Sequence, residues 1–251
     1  HVSLTDAGRD FVEAARDIVD RANRLEAEFR EGQQDQLPTL RIGAIDSAAA
    51  GLMPQFLPRF RELYPDIDIE LLEQKTFRLL PRILSGRLDA AIVRPPEMRD
   101  SRLTFRSLFN ETAVVAVPEQ HDLATKAEIT VADMADEPLI VPERRSRPHS
   151  HDLTMKLFLD SGYTARVAQI AEEKQTIVSL VSTGVGLAIV PKWASRLAVG
   201  GVRFVPLSIP PGIARDKLAL SVVWLRATRH AARDAFLDVL DANVEALSRT
   251  A

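Results

Sequence analysis

The chain has 251 residues, a formal net charge of −3 at pH 7, 46% hydrophobic residues, 27% charged residues and no cysteine. The lack of cysteine excludes disulfides, thiol nucleophiles and thiolate metal sites, and the net charge gives no sign of a nucleic-acid-binding surface over the body of this chain. The sequence contains no run of about 18 apolar residues, so it predicts no membrane-spanning helix. Neither end shows the charged and apolar segments of an export signal.

The first predicted element is a long amphipathic helix. Thr5 is suited to cap its N-terminus, and Asp6 is placed favourably against the positive end of the helix dipole. Apolar residues recur in steps of four and three, a heptad seam typical of packing on a partner helix. The predicted dimerisation seam consists of Phe11, Ala15, Ile18, Ala22, Leu25 and Phe29. The alternative is that this stripe packs on its own domain. The polar stretch from Glu31 to Pro38 then predicts a linker.

From Thr39 the pattern alternates between short apolar strands and helices. The predicted strands are TLRIGAI, DIDIELLEQ and LDAAIV, and the helices between them are MPQFLPRFRELY and FRLLPRILS, the second ended by Gly86 as a C-terminal cap. This order with short loops predicts parallel pairing and right-handed crossovers. Two more β segments, LTFRSLF and TAVVAVP, follow and end at Pro118.

A second α/β set comes next. Its predicted strands are PLIVP, RVAQIA, GLAIVP and VRFVPL, and its helices are HDLTMKLFLDSG, KQTIVSLVST and PKWASRLA. A buried strand, LALSVVWL, and an amphipathic helix from Arg229 to Leu247 close the chain. The pattern predicts two lobes joined near Val117–Pro118 and near Pro206–Gly212, with the last strand and helix returning to the first lobe. Ligands of such bilobal folds bind between the hinged halves.

Polar residues follow three strands of the first lobe at their carboxyl ends, where open parallel sheets bind ligands. Ser47 follows the first strand, Thr76 the second and Arg94 the third. The two hydroxyl residues stand at helix starts, where backbone N–H groups are free. Two hydroxyls and a guanidinium at one sheet edge suit a carboxylate, which Arg94 is able to bind in a bidentate manner. The alternative is that Ser47 and Thr76 are plain N-caps and Arg94 is a surface ion-pair partner.

The second lobe offers a basic segment, PERRSRPHSHDL, between a strand and a helix. Arg147 and His149 are our candidates there for an anion-binding wall that faces the cleft, and a solvated basic loop is an equally good interpretation. His149, His151 and Asp152 lack a further ligand elsewhere in the sequence, so we predict no metal site. No nucleophile elbow, zinc-protease motif or phosphate loop is present. The sequence therefore favours a binding protein without a cofactor over an enzyme.

Four segments resemble LysR-type transcriptional regulators. VSLTDAGRDFVEAARDIV is similar to the end of their winged helix-turn-helix and their linker helix, and LRIGAIDSAAAGLMPQFLPRFRELYPDIDIELLE is similar to the start of their effector-binding domain. ILSGRLDAAIVRPP and LVSTGVGLAIVP resemble two further signatures. The resemblance implies an α/β, two-lobed periplasmic-binding-protein-like fold that acts in the cytoplasm on a small organic acid effector. It also places Ser47, Thr76 and Arg94 in the primary effector pocket, and implies a homodimer or tetramer on DNA.

The expected organisation has four parts. Residues 1–4 are a remnant of the wing, residues 5–36 form the linker and dimerisation helix, residues 37–117 and 213–251 form the first lobe, and residues 118–212 form the second. The recognition helix that reads DNA is expected in an N-terminal domain missing from this chain. An effector in the cleft would change the angle between the lobes and so the geometry of the oligomer on DNA. The competing function is a periplasmic-type solute-binding protein of a transporter.

Overall fold

The computed structural model describes residues 38–251 apart from 198, 210–217 and 227, together with positions 5, 8, 11, 12, 15, 18, 19 and 22. The positions from 8 to 22 in this set are helical. The backbone N–H of Gly8 donates to the hydroxyl of Thr5 over 3.1 Å, which confirms the predicted N-cap. Phe11 is 73% exposed and Ile18 71% exposed. Leu25, Phe29 and residues 1–4 lie outside the described residues.

Ten strands and six α-helices make up the part of the chain that the structure describes from residue 38 onward. The strands are β1 (Thr39–Ala44), β2 (Asp68–Glu73), β3 (Ala90–Val93), β4 (Leu103–Asn110), β5 (Ala113–Pro118), β6 (Pro138–Pro142), β7 (Arg166–Ala171), β8 (Ala188–Pro191), β9 (Val202–Pro206) and β10 (Ala219–Leu225). The helices are α1 (Asp46–Gly51), α2 (Met53–Leu63), α3 (Thr76–Leu84), α4 (Pro148–Asp160), α5 (Lys174–Ser182) and α6 (Ala231–Ser248). No described helix is long and apolar enough to cross a membrane.

The first lobe is built on a five-stranded sheet in the order β2-β1-β3-β10-β4. As the alternation of strands and helices predicted, β1 pairs in parallel with β2 and β3, while β10 runs antiparallel to both of its neighbours. Helices α2 and α6 bury their apolar stripes beside this sheet through Phe56, Phe60 and Phe236, and the rings of Phe56 and Phe236 meet edge to face at 4.8 Å. This core fixes the carboxyl ends of β1 and β3 relative to one another.

The second lobe joins a parallel pair, β6-β7, to an antiparallel sheet in the order β8-β5-β9. The two are linked where the N–H of Ile140 donates to the carbonyl of Leu187, and the N–H of Leu187 donates to the carbonyl of Pro138, each over 2.8 Å. Gly186 permits this approach, because a Cβ there would lie 2.5 Å from the Pro138 carbonyl oxygen. The helix predicted at PKWASRLA is a 3₁₀-helix over Lys192–Leu197.

The predicted boundary between the lobes at residues 117 and 118 is wrong. Strand β5 lies in the middle of the second sheet, between β8 and β9, so the chain crosses between the lobes at Glu111 and Thr112. Consecutive strands with a short connection usually pair with each other, but β5 pairs with β8 and β9. Strand β4 pairs with β10 instead. The return crossing follows β9, and the predicted boundary between residues 212 and 213 lies outside the described residues.

Candidate functional site

A cavity of about 450 Å³ is lined by residues of both lobes. The first lobe contributes residues at the carboxyl ends of β1, β2 and β3 and at the start of α3. The second lobe contributes the segment before α4, the first turn of α4 and the start of α5. Of the five predicted effector-binding residues, Thr76, Arg94, Arg147 and His149 are on the wall.

Arg94 lies directly after β3 and is only 5% exposed. Its Nη2 pairs with the carboxylate of Glu111, whose side chain is fully buried. The other terminal nitrogen, Nη1, is buried and has no hydrogen-bond partner among the described residues. The alternative that Arg94 is a surface ion-pair partner is therefore wrong. Arg94 lines the cavity, and a buried guanidinium nitrogen without a partner is a charged donor whose desolvation is not compensated.

Thr76 holds the backbone of Arg94 in place. Its hydroxyl accepts from the N–H of Arg94 and is within reach of the Arg94 carbonyl, both over 3.3 Å. Lys75, not Thr76, is the N-cap residue of α3, so the interpretation of Thr76 as a plain N-cap is wrong. Thr76 therefore links the carboxyl ends of β2 and β3, as expected for residues that follow parallel strands of one sheet.

Ser47 lies behind the wall rather than on it. It is 2% exposed, and its hydroxyl donates to Oε2 of Glu111 over 2.8 Å. The N-cap of α1 is Ile45, so Ser47 is not an N-cap either. Because this hydroxyl is committed to the same carboxylate that pairs with Arg94, Ser47 supports the anion-binding residue through Glu111. This corrects the prediction of Ser47 as a residue on the effector-binding wall.

Arg147 reaches across from the second lobe to the first. Its Nη1 lies 2.7 Å from Oδ2 of Asp46, its Nη2 lies 3.0 Å from Oε2 of Glu173, and its Nε donates to the carbonyl of Glu172. With a side chain that is 9% exposed, Arg147 does not belong to a solvated basic loop. Arg144 and Arg145 are the solvated arginines of this segment, since both are exposed and the side chain of Arg144, which pairs with Asp152, is 70% exposed.

Sequence reasoning missed both Asp46 and Lys174 as site residues. Lys174 opens α5 and is 8% exposed, and its Nζ donates to Oδ1 of Asp46 over 2.6 Å. The signal was available, since α5 begins just beyond the carboxyl end of the parallel strand β7. Arg94 was found in the first lobe because it follows the carboxyl end of a parallel strand, and the same reasoning identifies Lys174 in the second lobe.

The charges at the contact between the lobes shift one another's ionisation. Burial alone would raise the pKa of Asp46, but the positive charges of Lys174 and Arg147 bring it far below its ordinary value. Burial lowers the pKa of Lys174, an effect that Asp46 opposes and that Arg147 and Arg94 reinforce. At the rim, Lys75 binds the carboxylates of Glu172 and Glu173. Ion pairs thus hold the two lobes together on two sides of the cavity.

The arrangement is suited to binding an anion between two lobes. No group of three or more His, Asp or Glu side chains that could hold a metal ion occurs in the described part of the chain. Of the three residues considered above as metal ligands, His151 and Asp152 contact each other, with Nδ1 of His151 lying 3.1 Å from Oδ1 of Asp152. The same carboxylate of Asp152 also pairs with Arg144.

Known proteins resemble this chain in sequence and in fold. The sequence profile of the LysR substrate binding domain matches residues 33–245. The HTH-type transcriptional regulator TtuA of Agrobacterium vitis is 49% identical over 97% of this chain and 80% of that protein. The LysR family transcriptional regulator CbnR superposes with a TM-score of 0.82 at 19% identity, over 96% of this chain and 82% of that one. The effector-binding domain of QuiR in complex with shikimate superposes with a TM-score of 0.70 at 25% identity, over 83% of this chain and 97% of that one.

Proposed function

The chain belongs to the LysR family of transcriptional regulators, and from that premise we propose that it senses a small organic acid in the cavity between its lobes. The observation that carries this proposal is the buried Nη1 of Arg94, which has no partner among the described residues and belongs to a residue that lines the cavity. A carboxylate that binds there would satisfy a donor that is otherwise desolvated without compensation. The cavity volume of about 450 Å³ is in the range of small-molecule sites.

Binding is coupled to the lobes because residues of both lobes line the cavity. Effector bound to Arg94 would contact the second-lobe wall around Arg147 and His149 and change the balance between two relative positions of the lobes. That change would reach DNA through a homodimer or tetramer held by the N-terminal helix and through the helix-turn-helix part of the whole regulator. TtuA, which is named as an HTH-type regulator, supports this assignment over a solute-binding protein of a transporter. We place the protein in the cytoplasm and assign it no enzymatic activity.

The test is ligand binding by the 251-residue chain. Thermal shift followed by calorimetry with a panel of small carboxylic acids that includes benzoate and shikimate should find at least one acid that raises the melting temperature. Bound ligand stabilises the folded state by about 2.7 kcal/mol at a hundred times its Kd. The double variant R94Q/E111Q should fold and lose this response, because it removes the anion donor without leaving Glu111 as a buried unpaired charge.

Arg144→Gln is the matched control for that variant. It removes an arginine from the basic segment of the second lobe whose side chain pairs with Asp152 and does not line the cavity. It should bind the same acid with wild-type affinity. Unchanged acid binding by R94Q/E111Q would overturn the assignment of Arg94 as the anchor.

A further inference from the structure

Apolar residues from two segments line the first-lobe side of the cavity. Phe77 and Leu80 belong to α3 and are three residues apart, so they lie on the same face of that helix. Pro96 and Met98 come from the segment that follows Arg94 at the end of β3. We call Phe77, Leu80, Pro96 and Met98 the apolar wall. It lines the same cavity as the guanidinium proposed to bind the carboxylate of the effector.

Two residues of the apolar wall are exposed although they are hydrophobic. Phe77 is 52% and Met98 90% exposed. The residues of α3 that are buried in the core of the first lobe are Leu79 and Ile83, so the packing of this lobe does not explain why a large apolar residue stands at position 77. Single exposed apolar residues are common on protein surfaces, but two that line one cavity indicate a surface that a ligand covers.

The second-lobe wall has its buried charges matched. Nζ of Lys174 lies 2.6 Å from Oδ1 of Asp46. Nη1 of Arg147 lies 2.7 Å from the other carboxylate oxygen of Asp46, and its Nη2 lies 3.0 Å from Oε2 of Glu173. Because these groups already satisfy one another, a further polar group of a ligand gains little from them. The buried donor of the described cavity wall that has no hydrogen-bond partner is Nη1 of Arg94.

We propose that Phe77 and Met98 are specificity-determining residues that select acids with an apolar body, in which the carboxylate is joined to a hydrocarbon ring or chain. The proposal rests on the acid-binding function proposed above and narrows it to amphipathic acids. The carboxylate pairs with Nη1 of Arg94, and the ring or chain covers the apolar wall. Hydroxyl groups on that body would lose water against the wall without gaining a partner, which disfavours hydroxylated acids of the same skeleton.

The experiment compares acids that share a carbon skeleton and differ in their hydroxyl groups. Calorimetry with the 251-residue chain at pH 7.5 uses cyclohex-1-ene-1-carboxylate against shikimate, and hexanoate against gluconate. In the pair that binds better, the acid without hydroxyl groups should bind about tenfold more tightly or better. Each pair keeps the same carboxylate, so the difference reports on the body of the ligand.

Variants of the apolar wall assign this preference to its residues. Phe77→Ala and Met98→Ala should each weaken the binding of the apolar acid by about tenfold, since each removes exposed apolar surface that the ligand would cover. Phe77→Leu keeps an apolar side chain and should retain most of the affinity. Because Phe77 and Met98 are exposed, these variants should melt at nearly the wild-type temperature, and a melting curve of each shows that it is folded.

Leu63→Ala is the matched control. Leu63, at the end of α2, is 59% exposed and does not line the cavity. Its substitution removes a similar apolar side chain from the surface of the same lobe, and it should leave the affinity for every acid unchanged.

Three results would overturn the proposal, and they are distinguishable. If the acids that bind the wild-type chain more tightly are the hydroxylated ones, the cavity does not select an apolar body, while acid sensing stands. If Phe77→Ala and Met98→Ala bind the apolar acid as the wild-type chain does, these two residues do not set the preference. If no acid of these pairs or of the wider panel binds, acid sensing itself is wrong and the role of the apolar wall falls with it.

Discussion

At the scale of single residues, the site depends on a buried ion pair that is only partly satisfied. Arg94 and Glu111 meet in an interior where desolvation offsets much of their attraction. Ser47 donates a further hydrogen bond to Glu111, while Nη1 of Arg94 and Oε1 of Glu111 have no partner among the described residues. Removing one member of such a pair costs about 3–5 kcal/mol, because the other charge is left buried and alone. This is why binding is tested with both members neutralised together.

Asp133 allows a pH prediction that is independent of the cavity. The pKa of Asp133 is lowered to about 2, mainly by a hydrogen bond from the side chain of Lys126 and also by one from the backbone N–H of Thr130. The N–H of Asp133 in turn donates to the hydroxyl of Thr130 over 3.3 Å, which makes a reciprocal capping pair.

Because the pKa of Asp133 is lower in the folded state than in the unfolded state, this group stabilises the fold above pH 4 or so and loses that contribution as the pH falls toward 2. NMR titration of the Asp133 carboxyl carbon should show a midpoint at about 2. In Lys126→Met the midpoint should move up toward the ordinary aspartate value. A wild-type midpoint near 4 would contradict the capping geometry.

At the scale of elements, the strands and helices could be predicted from local sequence patterns. The lobe to which β5 belongs was predicted wrongly, because it depends on pairing with distant strands. Apolar runs such as AAIV in β3 are buried at every residue, and such runs bounded by turn residues predict strands without further information. The choice of partner for β5 is different, since it is decided by contacts with β8 and β9 that lie far along the chain. The short connection between β4 and β5 does not encode these distant partners.

Gly51, at the end of α1, lies so close to the second lobe that even the Cβ of an alanine would not fit there. A Cβ at Gly51 would lie 2.0 Å from the ring of Trp193, which belongs to the 3₁₀-helix over Lys192–Leu197 and is 1% exposed. Gly51→Ala should therefore lower the free energy of unfolding by about 3 kcal/mol, the upper end of the usual cost of overpacking. The measurement is urea unfolding followed by tryptophan fluorescence.

Gly200→Ala is the control for that substitution. A Cβ at Gly200 would meet nothing within 4 Å, so the free energy of unfolding should change by less than about 0.5 kcal/mol. Equal stability of the Gly51→Ala and Gly200→Ala variants would show that α1 and the 3₁₀-helix do not pack as closely as the structure has them.

At the scale of the whole molecule, the sequence predicted the two lobes and one half of the site. Arg94 and Thr76 are found by the strand-end rule because the carboxyl ends of β2 and β3 must meet at one sheet edge. Glu111 and the ion pair of Asp46 with Lys174 were not predicted. Asp46 and Lys174 are 128 positions apart and belong to different lobes. Their contact depends on how the lobes are placed against each other, which local patterns do not encode.

The N-terminal helix carries the remaining prediction, that its heptad seam binds a second copy of the chain. Phe11 and Ile18 lie one heptad apart and are 73% and 71% exposed, and burying such side chains yields about 1.5–3 kcal/mol each. The double variant F11D/I18D should raise the dimer dissociation constant by about a hundredfold or more, measured by sedimentation velocity over a range of protein concentrations. Arg16→Asp, which adds a carboxylate outside the seam, should leave the dimer largely intact. If the stripe packs on its own domain instead, F11D/I18D would lower the melting temperature and leave the oligomeric state unchanged.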